Sequence, residues 1–486
     1  MTTTNKDFVA LRDELASWPA ESSSDAHGVQ APAEREVYAP ATHSAALDPA
    51  STIVQGSRGT GKSFWAGVLG DPSLRAATAK AYPRLGLDQL DVRFGYTGLA
   101  GPEGVDKEKL DECVSPRAAI DEARVFWWAT ILRAIDSSVG RTARRPKEFL
   151  DVAANIEQRE AMITAHARRL QAHGSTLLIV YDALDTLASS WKRRRMLTLA
   201  LLEVVWAMRA WRAIRPKLFL RPDQLEDESL RFVELPKLRT GAVRLTWSGT
   251  DLYALFFARL STGHAADSFK RLLASLSLPW VPYDQILARQ WPLAHDEQSQ
   301  RRLMAALAGA HMAPGPHGHK KGNTYDWPLK HLGDAFDEVT PRSFLSLSIG
   351  AAKYGESPPE DRVITPEGIR HGLRAASKMR VDQLHDEFPW IKGVLAPLAG
   401  LLLPCDEKEV FKVWKKAKTV SEAVESAKRH GYLPPFPEQE DADERNLYMA
   451  LKRIGVMFRR QDERLDMPDL FRVAAKLLKK GGTAPL

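Results

Sequence analysis

The chain has 486 residues, 44% of them hydrophobic and 27% charged, which is long for one core and excludes wholesale disorder, so two to four domains are expected. Lys plus Arg number 68 against 61 Asp plus Glu, a net charge of +7 that permits nucleic-acid contact without demanding it. Cys113 and Cys405 lie far apart with no C-x-x-C partner, which argues against a zinc site or a disulfide framework and fits a reducing compartment. The opening MTTTNKDF lacks the basic-then-apolar build of a secretory signal. The most apolar stretches, 196–211 and 393–405, are interrupted before reaching the ~18–20 apolar residues that span a bilayer. A soluble, cytoplasmic protein with no membrane contact is expected.

Residues 1–33 read as an N-terminal extension: a short helix over 8–18, then a Ser/Ala/Pro-rich stretch. The segment 34–49 (EREVYAPATHSAALDP) follows, where Tyr38 and Pro40 offer either a flat contact for a nucleotide base or a plain strap across the core. Residues 51–69 (STIVQGSRGTGKSFWAGVL) carry the strongest signal. A short apolar strand enters a loop with Gly56, Gly59, Gly61, Lys62 and Ser63 at Walker A spacing, and a helical pattern leaves it. Glycines let consecutive amides turn inward as a nest for phosphate oxygens, and the following helix aims its positive end at the same phosphates. Gly56, Ser57, Arg58, Gly59, Thr60, Gly61, Lys62, Ser63 and Phe64 are therefore the candidate nucleotide-binding residues. Lys62 would reach the β- and γ-phosphates of ATP, and the Ser63 hydroxyl would ligate Mg²⁺.

Next come a strand over 89–96, a helix over 115–135 whose Phe126, Trp127 and Trp128 read as core, and a helix over 149–172. Residues 176–185 (TLLIVYDALD) give a strand buried on both faces, ending in Asp182. Asp182 is the candidate Walker B carboxylate for Mg²⁺, with a helix N-cap as the alternative. Asp185 would orient or deprotonate an attacking water, or sit in a first helical turn where the dipole favours acid. The basic run 192–195 (KRRR) precedes a helix over 196–213, and would either contact phosphates or form a solvated face. In 216–223 (PKLFLRPD) a short strand over 217–220 places Arg221 on the edge where ligands of parallel sheets bind. A strand over 242–247, a Ser248 cap and a helix close the α/β core at about residue 260.

Beyond 261 the pattern is helical, and His317 and His319 in a Gly/Pro-rich loop read as solvated. In 339–345, Thr340 and Pro341 resemble the N-cap and first position of a helix, which puts Arg342 in its first turn. A cation is unfavourable there, which suggests a task such as reaching phosphate. Residues 436–445 are acidic and linker-like. The tail 446–486 reads helix, strand (456–459), turn, strand (465–467), helix (468–480), a small winged-helix-like unit made basic by Arg459, Arg460, Arg464, Lys479 and Lys480.

The run YDALD resembles the Walker B segment of STAND-class signalling ATPases, particularly the NACHT-like branch. LFLRPD is similar to that class's sensor 1 strand, and TPRSF to the sensor 2 region of AAA+-related lids. The resemblance, over roughly residues 34–374, implies a P-loop NTPase core (34–260) with a parallel sheet, a helical lid (261–375), a helical connector (376–445) and a winged-helix-like domain (446–486). It implies ATP and Mg²⁺ as ligands, with Lys62, Asp182, Asp185, Arg221 and Arg342 as catalytic or nucleotide-sensing residues. Thr186 stands where NACHT-like proteins usually carry glutamate, which implies slow hydrolysis. No guanine-reading run is evident, so ATP is expected over GTP. The class further implies a nucleotide-dependent switch acting through a homo-oligomer or a separately encoded effector, as in bacterial anti-phage systems. The rival expectation is a DNA-acting AAA+-like ATPase that uses the winged helix.

Overall fold

The computed structural model describes residues 3–19, 31–101, 104–141, 144–226, 230–355, 359–436 and 441–485. Parts of the Ser/Ala-rich stretch (20–30) and of the acidic stretch (437–440) therefore lie outside the described residues. The chain forms two compact units, one of Ser22–Thr246 and one that joins Met1–Glu21 to Trp247–Leu486.

The first unit is built on five parallel strands: β1 (Ile53–Gln55), β2 (Leu90–Tyr96), β3 (Thr176–Tyr181), β4 (Ile214–Leu220) and β5 (Val243–Arg244), in the order β2-β3-β4-β1-β5. Every residue of β1 is buried, and so are five of the six in β3, because helical crossovers cover the sheet. The helices Lys62–Gly70, Ile120–Ser138, Ile156–Ala172 and Trp191–Ala207 supply most of that cover. Phe126 and Trp127 are fully buried and Trp128 is 8% exposed, so the aromatic cluster is core. The Trp127 indole donates to the Leu197 carbonyl at 2.9 Å, which satisfies its one polar atom.

Several boundaries differ from expectation for local reasons. The helix over 149–172 is broken at Asn155, which ends Leu150–Ala154 and caps Ile156–Ala172 by accepting from the Gln158 amide. The helix expected from 196 begins at Trp191, because Ser190 caps it by accepting from the Arg193 amide; the basic run lies inside the helix. Strand β4 starts at Ile214, whereas β5 is only two residues long.

The second unit is mainly helical. The N-terminal helix, Asn5–Ser17, is an integral part of it and no extension: Arg271 pairs with Asp7 at 2.6 Å and Glu14 accepts from the His264 amide at 2.8 Å. The helix Gly249–Thr262, capped by Ser248, belongs here and not to the α/β core, so the division falls at 246 where 260 was expected. The helices Pro341–Ala352 and Pro366–Glu387 pack closely; a Cβ on Gly372 would meet the Leu347 carbonyl at 2.1 Å. Pro366–Glu387 runs unbroken through the boundary expected at 375.

Four short strands lie near the carboxyl end: β6 (Leu402–Leu403), β7 (Phe458–Arg459), β8 (Leu465–Asp466) and β9 (Leu478–Lys479). β7 and β8 form an antiparallel hairpin, Cys405 bridges to Leu465, and β9 pairs with β6 in parallel. The helix expected over 468–480 spans only Asp469–Arg472. Buried Arg472 pairs with Asp469 and donates to the carbonyls of Leu477 and Thr483, both at 2.9 Å, folding the following chain into a turn that ends in β9. Among the described residues, no helix is long and apolar enough to cross a membrane.

Candidate functional site

Strand β1 leads into the loop Gly56–Gly61, and the loop feeds the helix Lys62–Gly70. Gly59 and Gly61 adopt φ of 86° and 104°, the left-handed region that glycine enters without strain. A Cβ on Gly56 would lie 2.4 Å from the Thr60 hydroxyl, so the loop closes only around a bare backbone there. Thr60 ties the curl by donating its hydroxyl to the Ser57 carbonyl at 2.8 Å. The first intrahelical bond runs from Trp65 N to Gly61 O at 2.9 Å, so the amides of Gly61, Lys62, Ser63 and Phe64 have no partner inside the helix. Unpaired amides at a helix N-terminus are donors for an anion. The Phe64 ring packs edge-on against Trp65.

Lys62 lies across this loop, donating to the carbonyls of Gly56 (2.6 Å) and Ser57 (3.1 Å). Burial pushes its ammonium down to about 8, against the opposing pull of Asp185 and Asp182. Asp182 ends β3, with its amide bonded to the Tyr96 carbonyl of β2 at 2.9 Å. It is 2% exposed, and burial lifts its carboxyl to about 6, although a hydrogen bond from Ser63 pulls the other way. Its Oδ2 is buried with no hydrogen-bond partner. An orphaned carboxylate oxygen beside a serine hydroxyl is a hard-oxygen donor set that fits Mg²⁺, whose remaining ligands would be water and phosphate. Ala183 follows in the left-handed region (φ 54°), and turns the chain sharply over Gly98 and Thr186.

Strand β4 delivers Arg221 to the same edge. Its guanidinium makes two bonds to Asp223, at 2.8 and 2.9 Å, and lies 4.0 Å from Asp185. Asp223 is buried; burial alone would raise its pKa, but Arg221 and Arg194 hold it below the ordinary value. Lys62, Ser63, Asp182, Asp185 and Arg221 thus converge at the carboxyl edge of the sheet, at the strand where the order reverses. Arg342 belongs to the other compact unit, at the second position of the helix Pro341–Ala352, with Thr340 as its cap.

The basic run is largely engaged inside its own unit. Arg193 holds Asp111 and two backbone carbonyls, Arg194 is buried 3.8 Å from Asp223, and Arg195 lies over the Trp191 ring. Tyr38 is 2% exposed in a buried run with Val37, Ala39 and Pro40, which favours the strap over an open base contact.

Three supporting residues escaped the sequence reading. Lys217, fully buried in β4, donates to the carbonyls of Ala46, Asp48 and Ser51 at 2.7–2.9 Å. Burial pushes it down to about 7, yet three acceptors match the three N–H of an ammonium and a neutral amine would leave one unmet. His43 accepts from the Trp65 indole at Nδ1 and meets the Thr246 carbonyl at Nε2, both at 3.0 Å, which selects the neutral tautomer with its proton on Nε2. The lysine inside an apolar strand pattern was the available signal for Lys217; His43 left none. Asp223, two residues after Arg221, was visible as a carboxylate within reach.

A glycine loop after β1, a carboxylate after β3 and an arginine after β4 define a P-loop-type α/β core. No family model matches the chain, and no curated protein matches it. Among solved structures the chain is similar to the Aeropyrum pernix ORC2 protein in ADPNP–ADP complexes, with 12% identity, 86% of this chain and 84% of that chain covered, and a TM-score of 0.37. A likeness this loose carries no argument about function.

Proposed function

We propose that the protein is a Mg²⁺·ATP-binding P-loop ATPase that works as a conformational switch. The observation that carries this reading is the unsatisfied Oδ2 of buried Asp182 beside Ser63 and Lys62. The loop amides and Lys62 bind and orient the triphosphate; Ser63 and Asp182 would hold a Mg²⁺ ion, which would supply charge neutralisation there. Asp185 and Arg221 flank the γ-phosphate end, Asp185 as the group that orients water. The expected experiment is phosphate release from ATP with Mg²⁺: Asp182→Asn loses about a hundredfold in turnover, and turnover equal to wild type would remove Asp182 from this role.

Two outputs compete. The DNA-acting, AAA+-like reading has an observation behind it: the helix Glu444–Arg453 is followed by the β7–β8 hairpin, and β8 pairs on its other side through the Cys405 bridge, an order similar to a winged helix. The STAND-like reading, control of an oligomer or of an effector in anti-phage defence, rests on the YDALD and LFLRPD runs alone. Salt-dependent duplex binding that disappears on charge reversal of Arg459 and Arg460 favours the first output; no duplex binding at low salt removes it.

A further inference from the structure

At the opposite, amino-terminal edge of the sheet the first unit has a second cavity, of about 440 Å³. It arises from unequal strand lengths. β4 begins at Ile214 but pairs with β1 only from Leu218, which leaves a notch beside its first residues. Lys217 pins the chain ahead of β1 across that notch through Ala46, Asp48 and Ser51, so the wall formed by Pro49 and Ala50 is fixed. Ile53, Ile214 and the Trp211 ring give the cavity an apolar floor.

Its charge is of one sign. Arg209, Arg212, Arg215 and Lys237 line it, and no aspartate or glutamate does. Among the described residues no carboxylate pairs with any of the four; Arg209 and Lys237 share only the Trp206 ring, at 4.3 and 5.4 Å. The helix Trp191–Ala207 ends here, and its carbonyl terminus accounts for a cation or two. It does not account for Arg215 in β4 or Lys237 in the helix Leu235–Thr240, which converge from other elements. Like charges held together without counter-ions around a concave, partly apolar floor suit a ligand that brings several negative charges and a flat body. The volume is that of a small molecule, within the usual range for ligand sites of about 300–1,000 Å³.

We infer that this cavity is a second site, distinct from the phosphate loop, for a multiply phosphorylated small molecule of the nucleotide class. The phosphates lie among Arg209, Arg212, Arg215 and Lys237, and the base lies against Trp211 and the aliphatic floor.

The test uses the full chain carrying Lys62→Ala, so that the phosphate loop contributes little, titrated with a fluorescent N-methylanthraniloyl derivative of ATP without Mg²⁺. A saturable site is expected to remain. Arg212→Glu with Arg215→Glu weakens it at least about tenfold, and Lys237→Glu, on a separate element, acts in the same direction. All three positions are at the surface or half-buried, and an unchanged melting temperature confirms that each variant folds. Absence of a residual site, or a site indifferent to these reversals, overturns the inference. So does the third outcome, in which the reversals abolish binding of a short DNA duplex but leave the nucleotide derivative bound, since the cavity would then be part of a nucleic-acid track.

Discussion

The phosphate-loop edge of the sheet and the carboxyl-terminal hairpin are both rich in charge, and they treat it in opposite ways. At the loop, charge is buried and incompletely met: Asp182 keeps an oxygen without a partner, and burial pushes the Lys62 ammonium down to about 8 despite Asp185 and Asp182. At the hairpin every arginine has its acid. Arg459 meets Glu407 and Glu463, Arg460 meets Asp466, Arg464 meets Asp462, and Lys479 meets Asp466. A count of cations would rank the hairpin as the stronger binding surface. The energetics rank the loop first, because a binding partner gains most where the protein has left charge unmet.

The largest effect that would break this contrast is at Gly56. Gly56→Ala forces a methyl group to within 2.4 Å of the Thr60 hydroxyl and 3.3 Å of the Lys62 side chain. It should cost about 1–3 kcal/mol of stability and, by opening the phosphate nest, about tenfold or more in ATP affinity. Calorimetry on the folded variant reads both, and an affinity equal to wild type would mean that the nest is not the phosphate site.

Asp182→Asn sharpens the contrast through pH. The folded carboxyl holds its proton up to about 6, whereas the unfolded chain releases it near the ordinary value of 3.8. Between these values the folded state binds more protons, so stability falls as pH rises through the window and the full cost stands above pH 6. The asparagine variant should therefore be more stable than wild type at pH 7, by up to about 3 kcal/mol, with the gain vanishing toward pH 4. Denaturant melts at the two pH values read the difference; a variant less stable than wild type at pH 7 would contradict it.

A smaller change is expected at Asp223. Its two bonds restrain Arg221 beside Asp185, so Asp223→Asn should alter the ratio of ATP to ADP affinity several-fold while leaving the loop intact. An unaltered ratio would make Arg221 a structural ion pair. The smallest effect belongs to the hairpin. Its pairs are partly exposed, so Arg459→Gln or Arg460→Gln should each shift stability by less than about 1 kcal/mol. A larger loss would show that the hairpin also stores unmet charge.

Strands β1 and β3 and the residues after them were legible in the sequence, because buried parallel strands are continuous apolar runs and the glycine spacing carries its own geometry; the early start of β4 and the short β5 were not. The termini of longer helices were less so: Ser190 and Asn155 are caps whose role depends on which amide they face. The tail misled most. The apolar pattern after Pro468 is helical, but the buried Arg472 draws the carbonyls of Leu477 and Thr483 around itself, and a side chain that bonds backbone carbonyls five and eleven residues on leaves no apolar periodicity. The N-terminal helix was visible, whereas its membership of the second unit, through Asp7 and Glu14, was not.

The central claim is that the unmet charge around the loop is kept for a nucleotide, and titration of ATP with Mg²⁺ into the full chain tests it directly. The account predicts saturable binding by wild type that falls at least about a hundredfold in Lys62→Ala. Equal affinity in the two proteins would contradict it.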